Sequence, residues 1–98
     1  MSLPVSFRPV ARMELDEATA WYKKQKAGLE FDFLQEVQQT LSCISHTPTR
    51  FAPVRGEVRR ALLRRFPYAI HFVPEPQKVV VLAVFHVRRD PRQIESRG

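Results

Sequence analysis

The chain has 98 residues, 44% of them hydrophobic, which suits one domain, residues 1–98, burying at most roughly two-thirds of its unfolded surface. Its net charge of +6 sits in one half: residues 1–54 carry six basic and six acidic residues, residues 55–98 ten and four. The single cysteine, Cys43, excludes an intrachain disulfide. No signal-peptide pattern and no apolar run near ~18 residues is present, so a cytoplasmic protein with no membrane partner is expected.

Leu3 to Arg8 alternates, with Val5 and Phe7 on one side, and predicts a short strand. Pro9 suits the first turn of a helix, where a missing N–H is no loss. The spacing of Val10, Met13, Glu17, Ala18, Trp21 and Tyr22 predicts the inward face of that helix, with Arg12, Glu14, Asp16, Lys23 and Lys24 outward. Gly28 stops it. A second helix is expected from about Glu30 or Phe31 to Thr47, where Pro48 ends it. Phe31, Leu34, Val37, Leu41 and Ile44 face inward, and Asp32, Glu36, Gln38 and Gln39 outward. On this reading Trp21 and Phe31 belong to the core, and Cys43 is a buried structural thiol.

Residues 49–56 contain a proline and a glycine and read as a surface loop. Residues 57–64 form a basic strand, and Phe66-Pro67 makes a corner, because proline fixes its own φ and pushes the preceding residue towards an extended shape. Tyr68, Ile70 and Phe72 then alternate with Ala69, His71 and Val73 as on a strand with two faces. Residues 74–77 are a turn, and Lys78 to His86 is an apolar run fitting a strand buried on both faces. Residues 87–98 are basic and polar, with Pro91 able to start a last helical turn. The expected fold is α+β, in the order β-α-α-β-β-β, with a helical hairpin on one face of a small, mostly antiparallel sheet.

Little points to conventional catalysis. His46, His71 and His86 have no partners at metal-ligand spacing, there is no glycine-rich phosphate loop, and no nucleophile motif is present, so no cofactor and no metal are expected. The arginines carry more, outnumbering lysine twelve to four. If Ala61 and Leu63 face the helices, Arg60 and Arg64 lie on the open face of the sheet, His71 joins them from the next strand, and Arg88 and Arg89 reach the rim. Arginine's planar fork favours phosphate or carboxylate there. A concentrated basic patch implies an anionic partner, either nucleic acid or an acidic protein segment.

Ala20-Trp21-Tyr22 at the end of the first helix, Phe33-Leu34 and Val37 in the second, Arg64-Arg65-Phe66-Pro67-Tyr68, the strand Val79 to Val84 and the ending His86-Val87-Arg88-Arg89-Asp90-Pro91 occur in an ordered set. Together they resemble the RelE/ParE superfamily of toxins from bacterial type II toxin–antitoxin (plasmid stabilisation) modules, on the ParE-like side, from about Val5 to Arg92. The resemblance implies the same β-α-α-β-β-β plan and a cognate antitoxin that wraps the toxin in a hetero-oligomer. It also implies one of two activities. ParE-like members inhibit DNA gyrase by binding, whereas RelE-like members cut mRNA on the ribosome. The residue after Tyr68 is Ala69, where RelE-like nucleases commonly place arginine, and the chain ends without their tyrosine. A gyrase-type binding poison is therefore the first expectation, with a binding surface of Arg59, Arg60, Arg64, Arg65, Arg88 and Arg89. For the alternative, a metal-independent mRNA endonuclease, the candidate catalytic residues are His71, His86, Arg60 and Arg64.

Overall fold

Pro9, Gly28 and Pro48 punctuate the first half of the chain. A computed structural model describes residues 2–89, so Pro91 and the end of the family resemblance lie outside the described residues. Strand β1 (Val5–Phe7) leads into helix α1 (Pro9–Gln25), with Pro9 at its first position. The chain reverses through Gly28, whose φ of 91° is in the left-handed region that glycine enters without a Cβ clash, and helix α2 (Leu29–His46) follows. A single 3-10 turn, Pro48–Arg50, precedes strands β2 (Pro53–Arg55), β3 (Val58–Leu62), β4 (Tyr68–Pro74) and β5 (Val79–His86). The five strands lie in the order β1-β5-β4-β3-β2, with β1 parallel to β5 and every other pair antiparallel.

The α+β plan thus holds, with one strand more than the sequence suggests. Pro53 conceals β2, but β2 is an edge strand, where a residue without an N–H leaves no ladder bond broken. The inward faces of both helices differ in part from the expected ones, although Ala18, Tyr22, Val37 and Ile44 are buried as expected. In α1 the buried residues are Ala11, Glu14, Leu15, Ala18 and Tyr22, the last two as expected, while Val10, Met13, Glu17 and Trp21, also expected inward, are exposed. Small Ala11 and Ala18 let the helix lie close to the sheet. Tyr22, not Trp21, turns inward and meets Phe33 and Phe66 with ring centroids 4.9 Å apart in each case. In α2 the same position is taken by Phe33, which is fully buried, and Glu36 is buried beside Val37. Trp21 is consequently 53% exposed and Phe31 69%, so neither is a core residue, and Cys43 is exposed rather than a buried structural thiol.

Strand β5 changes its facing partway. His71 pairs with Ala83 while its neighbour Phe72 pairs with Val81, so Leu82 is an extra residue, a β-bulge. Before it Val79 and Val81 join the helix-side core, and beyond it Val84 does. Val80, Leu82, Ala83 and Phe85 form a second buried cluster, packed by Val58 and Val73. Both faces of β5 are therefore apolar and buried, as its composition predicts.

Two inward carboxylates join helices to sheet backbone. Glu36 of α2 accepts hydrogen bonds from the backbone N–H groups of Arg64 and, at 3.1 Å, Arg65, in the turn between β3 and β4. Glu14 of α1 accepts the Val84 N–H at 3.0 Å and pairs with the Arg89 guanidinium at 2.8 Å. β1 covers only Val79 to Val81 of the β5 edge, and Glu14 takes over as acceptor beyond it. Charge-assisted bonds of this kind are shorter and stronger than neutral ones, and losing the acceptor leaves donors unsatisfied. Glu36→Ala should lower stability by about 2–3 kcal/mol, measured by urea unfolding, whereas Phe31→Ala should stay within about 0.5 kcal/mol because its ring is on the surface.

Candidate functional site

The basic stretch begins on β3, where the register fixes the facing of each arginine. Arg60 stands opposite His71 of β4, and Ala61 opposite Ile70. Ala61 and Leu63 are buried in the helix-side core, which puts Arg60 on the other face with His71, as the alternation suggests. Arg60 is exposed, but His71 is only 3% exposed, its ring 5.5 Å from that of Phe85. The second face is thus not a bare polar surface lined by arginine and histidine. It carries a buried apolar cluster with Arg60 at the β3 position.

Arg64 departs from the open face altogether. β3 ends at Leu62, and the following turn is drawn towards α2 by Glu36. Arg64 and Arg65 therefore border a groove of about 450 Å³ together with Arg50, Glu36, Gln39 and Cys43. Arg65 also reaches back to Glu36 at 3.5 Å. Arg59 is spent internally, since its guanidinium donates to the carbonyls of Thr49 and Phe51 and anchors the 3-10 turn. Arg88 is exposed beyond β5, and its N–H donates to His86 Nδ1 at 3.2 Å. Arg89 wraps the β5 edge, paired with Glu14 on one side and 4.2 Å above the Phe85 ring on the other. The six arginines accordingly form no single patch. Three basic side chains (Arg50, Arg64 and Arg65) share the α2 groove, while Arg60 and Arg88 stand elsewhere.

A second concavity, absent from the sequence reading, lies where α1 meets the start of β4 and the end of β5. This cleft, of about 440 Å³, is lined by Glu14, Glu17, Trp21, Tyr22, Tyr68 and His86, among others. Its rings run in sequence: Trp21 to Tyr22 at 5.1 Å, Tyr22 to Tyr68 at 6.1 Å and Tyr68 to His86 at 5.4 Å, each pair steeply tilted. Burial, with Tyr68 adding to it, raises the Tyr22 phenol above its ordinary value. Burial, with the Glu17 carboxylate adding to it, raises Tyr68. The signal in the sequence was the true phase of α1, where Glu14 falls in step with Ala11, Leu15, Ala18 and Tyr22. Among the described residues, no three His, Cys, Asp or Glu side chains are grouped to hold a metal ion, and no helix is long and apolar enough to cross a membrane.

Because both phenols hold their protons more tightly when folded, the stability they contribute is intact below about pH 10 and is lost as pH rises through the raised folded values. These are the only two tyrosines in the chain. Absorbance titration of the native protein should therefore show tyrosinate appearing above pH 10, and urea should move both transitions down to the ordinary value. Tyr68→Phe should flatten the fall of melting temperature between pH 9 and pH 11, approximate limits that bracket the ordinary tyrosine pKa.

No family model and no curated protein matches the sequence. Solved structures do match. One is a chain of the structure described as "Chromosomal ParDE TA system from P. aeruginosa", which superposes with a TM-score of 0.74 at 15% identity, covering 87% of this chain and 96% of that chain. The likeness is one of fold, at an identity too low to carry individual side chains. The chain has a ParE-like fold.

Proposed function

We propose that this protein is the toxin of a type II toxin–antitoxin module, ParE-like in its mode: it disables DNA gyrase or a related nucleic-acid enzyme by binding, and a cognate antitoxin neutralises it in a cytoplasmic hetero-oligomer. The observation that carries this reading is the likeness of fold to a chain of a ParDE system, at a TM-score of 0.74 over 87% of the chain. The arginines of the α2 groove support it. Arg50, Arg64 and Arg65 around the α2 groove, beside the exposed Leu62, suit an acidic and apolar antitoxin segment that folds as it binds. Arg60 and Arg88 remain exposed for an anionic target.

The placement of the histidines favours binding over RNA cleavage. Metal-independent phosphodiester transfer needs accessible proton carriers and cations aimed at one phosphate. His71 is buried, His86 Nδ1 is engaged by the Arg88 N–H, and Arg60 and Arg64 lie on different parts of the molecule.

Expression without antitoxin should arrest growth. Purified protein should inhibit supercoiling by gyrase and leave mRNA on programmed ribosomes intact. Cut mRNA with normal supercoiling would instead establish the nuclease. Arg60→Ala combined with Arg64→Ala should abolish growth arrest while changing stability by no more than about 0.5 kcal/mol, since the Arg64 backbone N–H that binds Glu36 is retained.

A further inference from the structure

The cleft between α1 and the ends of β4 and β5 differs in character from the rest of this cationic chain. Two carboxylates, Glu14 and Glu17, and two phenols line it, together with the indole of Trp21 and the imidazole of His86. Glu14 is occupied by the Val84 N–H and the Arg89 guanidinium. That pair leaves Glu17, on the exposed side of α1, as the charge facing a visitor. Tyr22 is 6% exposed, yet neither its hydroxyl nor that of Tyr68 makes a hydrogen bond with another described residue. Both tyrosines line the same cavity.

We propose that this cleft binds a guanidinium group, with Glu17 as its carboxylate partner, the Tyr22 and Tyr68 hydroxyls as further acceptors, and the rings of Trp21 and His86 as stacking walls. The chemistry selects this class in three steps. A cavity of this size holds a small organic group. Carboxylates beside phenol oxygens repel an anion, so phosphate and nucleotide ligands are disfavoured. Between cations, a quaternary ammonium needs only aromatic faces, whereas the hydroxyl and carboxylate acceptors here match a planar ion that has five donors, no acceptor and a preference for stacking on rings. The chain already places one guanidinium, Arg89, against Glu14 at the border of the same cleft. The tyrosines conform: burial, and for Tyr68 the Glu17 carboxylate in second place, keeps their phenols neutral and able to accept. The proposal is independent of the toxin reading and survives or falls without it.

Trp21 is the only tryptophan in the chain and so reports on the cleft directly. Titration with arginine amide, at constant ionic strength, should give a saturable change in tryptophan fluorescence and a matching calorimetric isotherm. Glu17→Gln, on an exposed position, should keep the melting temperature and weaken binding about tenfold or more. Tyr68→Phe should weaken it less, and Arg60→Ala should leave it unchanged. A capped peptide with a central arginine distinguishes the sources. Binding at least as tight as arginine amide assigns the cleft to a partner's side chain, and exclusion of the peptide assigns it to a free guanidinium compound. The proposal is overturned if arginine amide does not saturate, if lysine amide or tetramethylammonium binds equally well, or if Glu17→Gln binds as the parent does.

Discussion

The carboxylate of Glu36 holds the backbone of the turn between β3 and β4, and much of the molecule is arranged by that grip. The turn has Phe66-Pro67 at its corner, and its N–H groups at Arg64 and Arg65 point to an acceptor on α2. Fixing the turn against the helix sets Phe66 against Phe33 at 5.2 Å and against Tyr22 at 4.9 Å, which closes the aromatic end of the core. The same contact pulls two arginines off the sheet and into the α2 groove. Burying an anion is costly unless its acceptor sites are filled, and here they are filled by backbone donors and by the Arg65 side chain. Glu14 performs the equivalent task for α1 at the edge of β5. Each helix is thus keyed to the sheet by one charged residue amid apolar packing.

Most elements were legible because their limits are set by residues with strong local preferences. Pro9, Gly28 and Pro48 bound the helices within a residue or two, and the alternation from Tyr68 to Val73 names β4 and its two faces. The helix phases were legible only in part: Ala18, Tyr22, Val37 and Ile44 fall inward as expected, but several neighbours do not, for a reason that lies in the same two carboxylates. Hydrophobic periodicity places Glu14 and Glu36 outward, so the apparent apolar stripe rotates by one residue and carries Trp21 and Phe31 inward with it. Their true surroundings depend on donors supplied by residues 84 and 64, far along the chain. β2 was hidden by a proline whose tolerance depends on being at an edge. Of the candidate site, the nearness of Arg60 to His71 followed from strand alternation, but the burial of His71 and the departure of Arg64 did not. The α1 cleft assembles from three separated segments, which no local pattern announces.

The functional picture is one of two surfaces with opposite chemistry on a small scaffold. The α2 groove gathers arginines around a single buried glutamate, and the α1 cleft gathers aromatic rings and carboxylates around a single arginine. A basic chain that keeps one acidic, aromatic recess is equipped to contact partners of both signs. It need not use the same side chains for each. Net charge alone, although concentrated in the second half of the sequence, is a poor map of the cationic surface, because Arg59 and Arg89 are committed to internal bonds.

The bulge at Leu82 absorbs one residue of β5 and so decides which of its side chains reach the cleft. Losing Leu82 would leave Ala83 opposite His71 and Val84 opposite Ile70, a regular ladder in which every later residue keeps its facing. A strand one residue shorter here would therefore line the recess with the same side chains and lose only the local twist of the bulge. In this strand, a one-residue gap at the bulge is silent at the recess, whereas a substitution at Val84 or His86 is not.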